Sequence, residues 1–497
     1  IQQSLNNCAT GDTIVVAPGT YYEHLVWPQV SNIKLFSSGN KGNTIIDGSK
    51  NGRVLTIDMT NENTINQKTQ IKGFTITRGL LSLTIENTLG EGAGVLLNNA
   101  SPKFSNCSFI KNYITGALED SYDATLYGFG AGVCCKNSTA AFAKCLFKGN
   151  YSKSINEMYG SALYTVNSIV SLTDCEVTGN KTNTFFNTYQ DGKAAGVIHA
   201  DNSTLTIQRC QVTENEINDA NETYPAGAVS IIGGSAEIIN TLFRDNTHGG
   251  ASEINPGGSA IYGANADLEI VNVTSNQNGN VLGTYGTSLY LDNFASNTIT
   301  VQNSIFWNNG SSSEIYTDNS GVLSVTYSDL KYFFGYPGTG NINLNPEFIS
   351  VEGDNLLLQP NSPCAGTGSL TDAPEKDLQG TNRPLPAGTN PDMGCYEINQ
   401  PLKVNSGTDV FAHFAIYPNP SQGDFTLDLQ TDSAPDCTAT IQVSNTIGQI
   451  VYTQNEMIHN NQLHLNISIP VGSTEGVYLI SVEIPGQVFR EKIVYKH

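Results

Sequence analysis

A repeated segment constrains the fold of this chain more than any other feature. The stretch "GAGVLLNNASPKFSNCSFIKN" occupies residues 92–112, and a close relative, "GAGVCCKNSTAAFAKCLFKGN", returns at residues 130–150. Further copies follow, and their equivalent small residues are Cys107, Cys145, Cys175, Cys210, Thr241, Val273 and Ser304. Successive residues of this set are 30 to 38 positions apart, so one structural unit recurs with inserts of variable length.

The hydrophobic period inside each unit is two. In "STLTIQRCQVTEN", residues 203–215, Leu205 and Ile207 flank a threonine, and Cys210 and Val212 flank a glutamine. This alternation predicts short β-strands. The strands are separated by one or two residues without a hairpin turn pair such as Asn-Gly, so the chain must bend and continue. Stacking such bent units, with each strand paired to its equivalent, predicts a parallel β-helix.

Two positions of the unit predict ladders. Each copy closes on Asn, which tolerates left-handed backbone and bonds neighbouring backbone, so we expect an asparagine ladder at a corner of the coils. The cysteine positions predict a buried ladder of small residues with free thiols, although stacked cysteines within bonding geometry would pair. A zinc site is not expected, because neither a CxxC motif nor a nearby His accompanies them.

The repeats resemble a known architecture. The alternation of "GAGV" or "GSAL" with "FxxN", as in residues 109–112 and 147–150, resembles the repeats of right-handed parallel β-helix surface proteins, including the polymorphic outer-membrane protein type. The resemblance covers residues 1–345 and implies an all-β, right-handed parallel β-helix with end caps. This architecture hosts lyases, hydrolases and adhesins alike, so the fold alone does not indicate an activity.

The first residues are similar to the capping start of pectate-lyase-like β-helices. The resemblance implies an amphipathic helix on Ile1, Leu5 and Cys8, a first strand at residues 13–16 and a turn at residues 18–20. The chain begins with Ile rather than Met, so its N-terminus was either removed or not captured, and removal fits a processed exported protein.

Residues 346–398 resemble the closing cap of bacterial surface β-helices. The matching positions include an acidic and basic set, Asp377, Arg383, Asp392 and Glu397, for which a buried ion-pair staple is favoured over an acid–base catalytic cluster. Cys364 and Cys395 stand where the pattern has small residues. For these two positions the resemblance implies a disulfide, which suits export to an oxidising space.

The composition changes near residue 399. Residues 399–412 read as a polar linker, and alternating apolar residues in 413–497 predict a small antiparallel, Ig-like β-sandwich. The motif order of this domain resembles the type A C-terminal sorting domain of the type IX secretion system of Bacteroidetes. The matching residues are Tyr417, Pro418, Asn419, Pro420, Gly423, Phe425, Gly448, Gly476, Tyr478 and Lys492.

This second resemblance implies a route and a set of partners. The protein is expected to cross the periplasm, to pass an outer-membrane shuttle barrel and a sortase, and to be secreted or attached to surface lipopolysaccharide. The formal net charge of -21 excludes nucleic acid as an expected partner, since the chain repels phosphate.

Residue patterns for catalysis are not found. A β-helix lyase needs a basic residue beside calcium-binding Asp residues, and the hydrolases need two or three close Asp residues. Arg209 and Arg244 occupy different repeat positions without such an acidic set, and His199 and His248 are expected at the surface or in turns. We therefore predict no catalytic residues and no cofactor or bound metal other than, at most, structural calcium, with a polysaccharide lyase or glycoside hydrolase as the alternative.

The inserts carry the variation between coils. Each insert follows the closing Asn of a copy, so the inserts stack on one face of the solenoid, which is often its binding side. Aromatic residues in them form the candidate ligand face, Tyr113, Tyr151, Phe185, Phe186, Tyr189 and Tyr224. Rings beside hydrogen-bonding groups suit sugars, which predicts a binding or adhesive protein with a glycan or another surface ligand. The alternative is that the rings fold back to cover the coil below.

Overall fold

The computed structural model describes two compact units, residues 1–400 and 401–497. The residues outside its description are 60–64, 117–125, 155–156, 185–192, 219–225, 250–259, 280–286, 293–296, 310–312, 318–322, 333–336, 400–412, 431–436, 446–448, 460–461, 471, 485–486 and 497. The described elements are β-strands, apart from one helix of five residues. Across these ranges, no helix has the length and apolar character needed to cross a membrane.

The first unit is built from successive coils. The elements of the N-terminal coils are α1 Gln2–Asn6, β1 Thr13–Val16, β2 Gly19–Tyr21, β3 Leu25–Val26, β4 Lys34–Ser37, β5 Thr44–Asp47, β6 Leu55–Asp58, β7 Gln70–Lys72, β8 Thr75–Thr77, β9 Leu80–Leu83 and β10 Leu89–Glu91. The strands of the central coils are β11 Val95–Asn98, β12 Lys103–Ser105, β13 Ser108–Ile110, β14 Tyr113–Gly116, β15 Tyr127–Phe129, β16 Val133–Lys136, β17 Thr139–Ala143, β18 Leu146–Lys148, β19 Tyr151–Ser154, β20 Glu157–Tyr159, β21 Leu163–Val166, β22 Ile169–Thr173, β23 Glu176–Thr178, β24 Lys181–Thr184 and β25 Lys193–Ala195.

The later coils have fewer strands each within the described ranges. Their strands are β26 Ile198–Gln208, β27 Gln211–Thr213, β28 Glu216–Asn218, β29 Val229–Ile239, β30 Leu242–Arg244, β31 Thr247–His248, β32 Ile261–Ala264, β33 Asp267–Val271, β34 Thr274–Asn276, β35 Leu289–Asp292, β36 Ile299–Gln302, β37 Ile305–Trp307, β38 Ile315–Thr317, β39 Leu323–Thr326 and β40 Asp329–Leu330. The closing segment adds an antiparallel pair, β41 Phe348–Ser350 and β42 Asn355–Leu358.

The coils stack by parallel pairing of equivalent strands. In one complete coil, β11 to β15 are the first to fifth strands, and each pairs with its counterpart in the coil of β16 to β20. The third strands form an 11-stranded sheet, and the first and second strands together form a 19-stranded sheet. The fourth strands form a sheet of six and the fifth strands a sheet of four. The predicted parallel β-helix is confirmed.

Glycines of the repeated "GAG" shape the bend that leads into the first strand of a coil. Gly130 takes a φ of +65°, which turns the chain from the fifth strand into the next first strand. A Cβ on Gly132 would lie 2.5 Å from the carbonyl oxygen of Ala162 in the next coil. The repeated segment therefore encodes the close approach of stacked coils.

The predicted asparagine ladder is present and fully buried. Side-chain amides donate from coil to coil with N–O distances of 2.8 to 3.1 Å through Asn112, Asn150, Asn180, Asn215, Asn246, Asn278 and Asn309. Left-handed backbone falls on the preceding residue, such as Lys111 with a φ of +51°. The ladder asparagines therefore satisfy buried backbone groups at the corner while their neighbours make the bend.

The cysteine ladder contains free, buried thiols as the sequence predicted. Backbone N–H groups donate along it, from Cys145 to Cys175 Sγ and from Cys175 to Cys210 Sγ, both at 3.4 Å. In a later coil, Ser304 Oγ accepts the N–H of Val273 at 3.1 Å in the same way. The position therefore holds a small side chain, which in the Cys and Ser copies named here also accepts a backbone N–H, whereas Val273 supplies no acceptor.

Large side chains fill the coil interior. Phe104 stacks on Phe142, and Phe109 stacks on Phe147, with ring centroids 5.2 and 4.8 Å apart. The helix α1 buries Leu5 against the core, as the capping resemblance implied, but it is shorter than expected, because Ile1 precedes it and Cys8 follows it. The expected turn at residues 18–20 is only partly right, because Gly19 already pairs with Thr44 in the sheet.

The second unit is an antiparallel sandwich. Its strands are β43 His413–Tyr417, β44 Asp424–Gln430, β45 Cys437–Asn445, β46 Ile450–Ile458, β47 Gln462–Ser468, β48 Gly476–Ile484 and β49 Gln487–Tyr495. One sheet has the order β43-β44-β47 and the other β46-β45-β48-β49. Alternating residues of both sheets, including Leu427, Ile441 and Ile480, enclose one apolar core. The predicted all-β class is confirmed for both units.

Candidate functional site

The described part of the predicted ligand face is the outer side of the fourth-strand sheet. Tyr113 and Tyr151 occupy the same register position in adjacent coils, and both are half-buried. The Lys50 ammonium lies 5.6 Å from the Tyr113 ring centroid. Burial raises the pKa of Tyr151, against the effect of a hydrogen bond with Asn183. Two rings of the candidate face are thus aligned along the solenoid axis.

Charged side chains continue this row. Lys181 and Glu216 follow Tyr151 at the same register position and form an ion pair of 2.5 Å. The next outward row carries further polar groups, including Lys153 and Asn183. The four other predicted face residues, Phe185, Phe186, Tyr189 and Tyr224, lie outside the described residues.

The inner side of this sheet forms a second core. Leu83, Ile114, Leu126 and Met158 pack together between the fourth and fifth strands. The inserts that follow Asn112, Asn150 and Asn180 therefore begin with strands of this side sheet, which the sequence analysis did not predict. Tyr113 and Tyr151 lie on paired β-strands, which fixes the spacing of their backbone positions.

A buried aromatic column was missed by sequence analysis. Phe129 packs on Tyr164 with centroids 4.6 Å apart, and His199 stacks on both Tyr159 and Tyr164 at 4.9 and 5.6 Å. Only 4% of His199 is exposed, so its expected surface or turn position is wrong. Burial lowers the pKa of His199 to about 3. The segments "LYT" at residues 163–165 and "IHA" at residues 198–200 follow the repeat glycines at the same position. This alignment was the sequence signal that His199 lies next to Tyr164.

A second aromatic column stands on the same outward position of later first strands. The Tyr262 and Tyr290 ring centroids are 5.9 Å apart, and those of Tyr290 and Tyr316 are 4.5 Å apart. Exposure rises from 4% at Tyr262 to 40% at Tyr316. Because stacked rings cover each other's faces, this column offers mainly ring edges to a ligand.

The structure also places the other residues that were considered and set aside as catalytic groups. His248 was expected at the surface or in a turn but is fully buried, and burial lowers its pKa to about 4. The Arg209 guanidinium pairs with Asp174 of the previous coil at 2.7 Å. The Arg244 guanidinium pairs with Asp245 and Asp354.

A polar groove follows the corner between first and second strands. One hollow of about 400 Å³ is lined by Asn99, Ser101, Asn137, Ser138, Thr139, Asn167 and Ile169. A second of about 570 Å³ shares Ser101 and Thr139 and adds Ile65, Asn66, Gln67, Lys68 and Gln70. Lys68 is the one charged side chain among these described lining residues. The groove therefore offers amides, hydroxyls and an exposed Ile169, without a described acid–base pair.

The cap residues form a buried network. Arg383 Nε lies 3.1 Å from Glu397 Oε2, and neither side chain is exposed. Asp377 accepts backbone N–H groups from Gln379, Thr381 and Glu397. Burial and the nearby Asp392 raise the pKa of Glu397 to about 7, against the effect of Arg383. This arrangement holds the cap loops together by charge and hydrogen bonds.

The disulfide that the cap resemblance implied is absent from the structure. Cys364 and Cys395 are both buried free thiols. The Cys364 thiol donates to Asp329 Oδ2 at 3.0 Å, while the Cys395 N–H donates to Thr274. Across the described residues, no group of three or more His, Cys, Asp or Glu side chains is placed to hold a metal ion.

Some of the predicted secretion-signal residues of the second unit are buried in its core, and others are exposed. Phe425 and Tyr478 are 3% exposed and belong to the sandwich core. The segment Tyr417 to Pro420 is exposed, as are Gly476 and Lys492, and Gly423 takes a φ of +118°. Gly448 lies outside the described residues, and Asn445 and Gln449 on either side of residues 446–448 are joined by backbone and side-chain hydrogen bonds.

Comparison with known families decides the role of this unit. Residues 415–496 match the family model of the secretion system C-terminal sorting domain. The C-terminal unit is a sorting domain. The sorting domain indicates a secreted protein that is located at the cell surface or outside the cell. No curated protein matches the chain.

Proposed function

We propose that the β-helix of this secreted cargo protein binds a glycan on the outer side of its fourth-strand sheet. The observation that carries the proposal is the alignment of Tyr113 and Tyr151 in adjacent coils, with both rings half-exposed. Coils repeat about every 4.8 Å. The half-exposed parts of two rings repeated at this coil spacing can contact successive units of one extended chain of sugars.

The surroundings of the rings support a carbohydrate ligand. An aromatic ring gives an apolar contact for a sugar face, and neighbouring polar groups fix the orientation through hydrogen bonds. Lys153, Asn183 and the Lys181–Glu216 pair supply such groups beside Tyr151. The charged groups named around the rings are Lys50, Lys153, Lys181 and Glu216, so the proposed ligand is a neutral or acidic glycan.

The sorting domain supports an adhesive role. We propose that the outer-membrane shuttle and the sortase act on this domain, and that the cargo is attached to surface lipopolysaccharide. Attachment at the cell surface would present the β-helix outward, where glycan binding serves adhesion. Recovery of the protein with covalently linked lipopolysaccharide from the outer membrane tests attachment, and its release as an unmodified protein contradicts it.

A glycan array tests the binding function. The purified β-helix, wild type and a Tyr113→Ala/Tyr151→Ala variant, is applied to the same array. Selective loss of one glycan class in the variant supports the proposal, whereas an array without wild-type binding contradicts it. A Thr139→Ala/Ile169→Ala variant serves as a matched control, because loss of binding there would move the site to the corner groove.

Turnover is measured on the same glycans. Reducing-sugar release and formation of unsaturated uronates report hydrolase and lyase activity respectively. The proposal expects neither product above background with a glycan that binds. Steady product formation would replace the binding function by the enzymatic alternative.

A further inference from the structure

The side chain of Asn419 forms hydrogen bonds with the edge of a strand in the sorting domain, as the backbone of a neighbouring strand would. Its Oδ1 accepts the N–H of Val494 at 2.9 Å, and its Nδ2 donates to the carbonyl oxygen of Lys492 at 2.8 Å. Both backbone groups belong to β49, the outermost strand of the four-stranded sheet. A carboxamide is suited to this contact because it carries both a donor and an acceptor.

The following backbone extends the contact. The Ser421 N–H donates to the Val494 carbonyl at 2.8 Å, and the Lys496 N–H donates to the Ser421 carbonyl at 2.9 Å. Together, Asn419 and Ser421 pair with the outward backbone groups at the C-terminal end of β49, from Lys492 to Lys496. An open strand edge would otherwise be free to pair with other chains.

The strand β49, which Asn419 and Ser421 contact, and the residue that follows it carry the Lys and Arg residues of the domain. Residues 413–497 contain eight Asp and Glu residues, but their Lys and Arg residues are confined to Arg490, Lys492 and Lys496. All three are exposed, and Arg490 and Lys492 have the same parity on β49, which directs them to one side of the strand, while Lys496 directly follows the strand. The exposed segment from Tyr417 to Pro420 lies directly against this strand through Asn419.

We propose that Asn419 is a positioning residue that joins these two parts of the export signal into one recognition surface. The surface consists of the exposed Tyr417, Pro418 and Pro420 beside the ammonium groups of Lys492 and Lys496. Its partner is an acidic site on the export machinery, because the cationic row is the one positively charged feature of an otherwise acidic domain. Asn419 acts on this partner through the geometry of the segment and need not touch it.

The test uses the full-length protein expressed in its own export system. Asn419→Asp places a carboxylate against the Lys492 carbonyl, and Asn419→Ala removes both hydrogen bonds. Asn455→Asp is the matched control. Asn455 is exposed on β46, and its substitution introduces the same charge away from the proposed recognition surface. For each variant we measure the surface-exposed fraction, the melting temperature of the sorting domain and the amide hydrogen exchange of Val494.

The expected result is a loss of about tenfold in surface-exposed protein for both Asn419 variants, equivalent to 1.4 kcal/mol of binding. Exchange at Val494 should accelerate while the core of the domain stays folded, and Asn455→Asp should be exported normally. Lys492→Glu/Lys496→Glu should reduce export with Val494 still protected. Normal export of Asn419→Ala with fast exchange at Val494 would overturn the positioning role. The positioning role would also be overturned if export fell only in proportion to the unfolded fraction of each variant. Normal export of Lys492→Glu/Lys496→Glu would overturn the proposal that the partner site is acidic.

Discussion

The side-chain amide of Asn309 donates to Glu314 Oε2 at 2.7 Å, and this contact ends the asparagine ladder on a carboxyl group. Ser288 Oγ also donates to Glu314 Oε2, at 2.9 Å. Burial raises the pKa of Glu314 to about 7, although its hydrogen bonds act in the opposite direction. The C-terminal end of the ladder is thus coupled to pH.

Glu314 should make the β-helix less stable as pH rises. The folded-state pKa lies above the unfolded value, so the stabilising protonation is complete below about pH 4.5 and is lost as pH rises through about 7. The shift corresponds to roughly 3 kcal/mol at 1.36 kcal/mol per unit, as an upper estimate. Denaturant unfolding at pH 5 and pH 8 measures the loss.

Glu314→Gln should flatten this dependence, because the neutral amide keeps an acceptor oxygen without a titrating proton. Asp329 and Glu397 also have pKa values raised to about 7 by burial, so part of the wild-type slope should remain. An identical slope in wild type and Glu314→Gln would contradict the assignment.

Asn180→Ala should destabilise the first unit strongly. The Asn180 carboxamide accepts from the N–H and the side chain of Asn150 and donates to Asn215, all within the buried corner. Leaving these groups unpaired costs about 1 to 3 kcal/mol each, and we expect roughly 3 to 5 kcal/mol in total. The exposed Asn218→Ala is the control and should change the free energy of unfolding by no more than about 0.5 kcal/mol. Equal unfolding free energies for the two variants would refute the ladder's role.

Removal of residues 413–497 should stop export without unfolding the cargo. The first unit is compact by itself, and the sorting domain carries the matched signal. Fractionation should find the truncated protein in the periplasm with the melting temperature of the full-length β-helix unit. Normal amounts of the truncated protein at the cell surface would argue against this export route.

The cap thiols should react without prior reduction. Denaturation in an alkylating agent without reductant should label both Cys364 and Cys395, because each has its own hydrogen-bonding partner in the structure. Recovery of a disulfide-linked peptide containing both residues would favour the bond that the cap resemblance implied.

The sequence was most informative where one position repeats in every coil. The alternation around Leu205, the closing Asn180 and the small Cys175 each predicted a structural role that the stacked coils contain. Repetition makes such positions visible, since each coil tests the same geometry again. The sandwich was predictable for a different reason, because the order of its motifs resembles one family over the whole domain.

Contacts that do not repeat were harder to predict. His199 was expected at the surface or in a turn because it follows the inward Ile198. Its alignment with Tyr164 was a signal for stacking, but Tyr159 comes from an insert that has no counterpart pattern. The side sheet was also not predicted, since strands such as β14 directly follow the ladder asparagine, at the start of an insert. The clamp of Asn419 on Val494 joins residues 75 positions apart in sequence, beyond any local pattern.

The affinity of the purified β-helix for its array-selected glycan tests the central claim most directly. Calorimetric titration is performed with wild type and with Tyr113→Ala/Tyr151→Ala, and each melting temperature is recorded. Loss of two aromatic contacts of about 0.5 to 1.5 kcal/mol each predicts binding weaker by roughly 5- to 150-fold with an unchanged fold. A fully folded double variant that binds the glycan as tightly as wild type would contradict the proposed binding face.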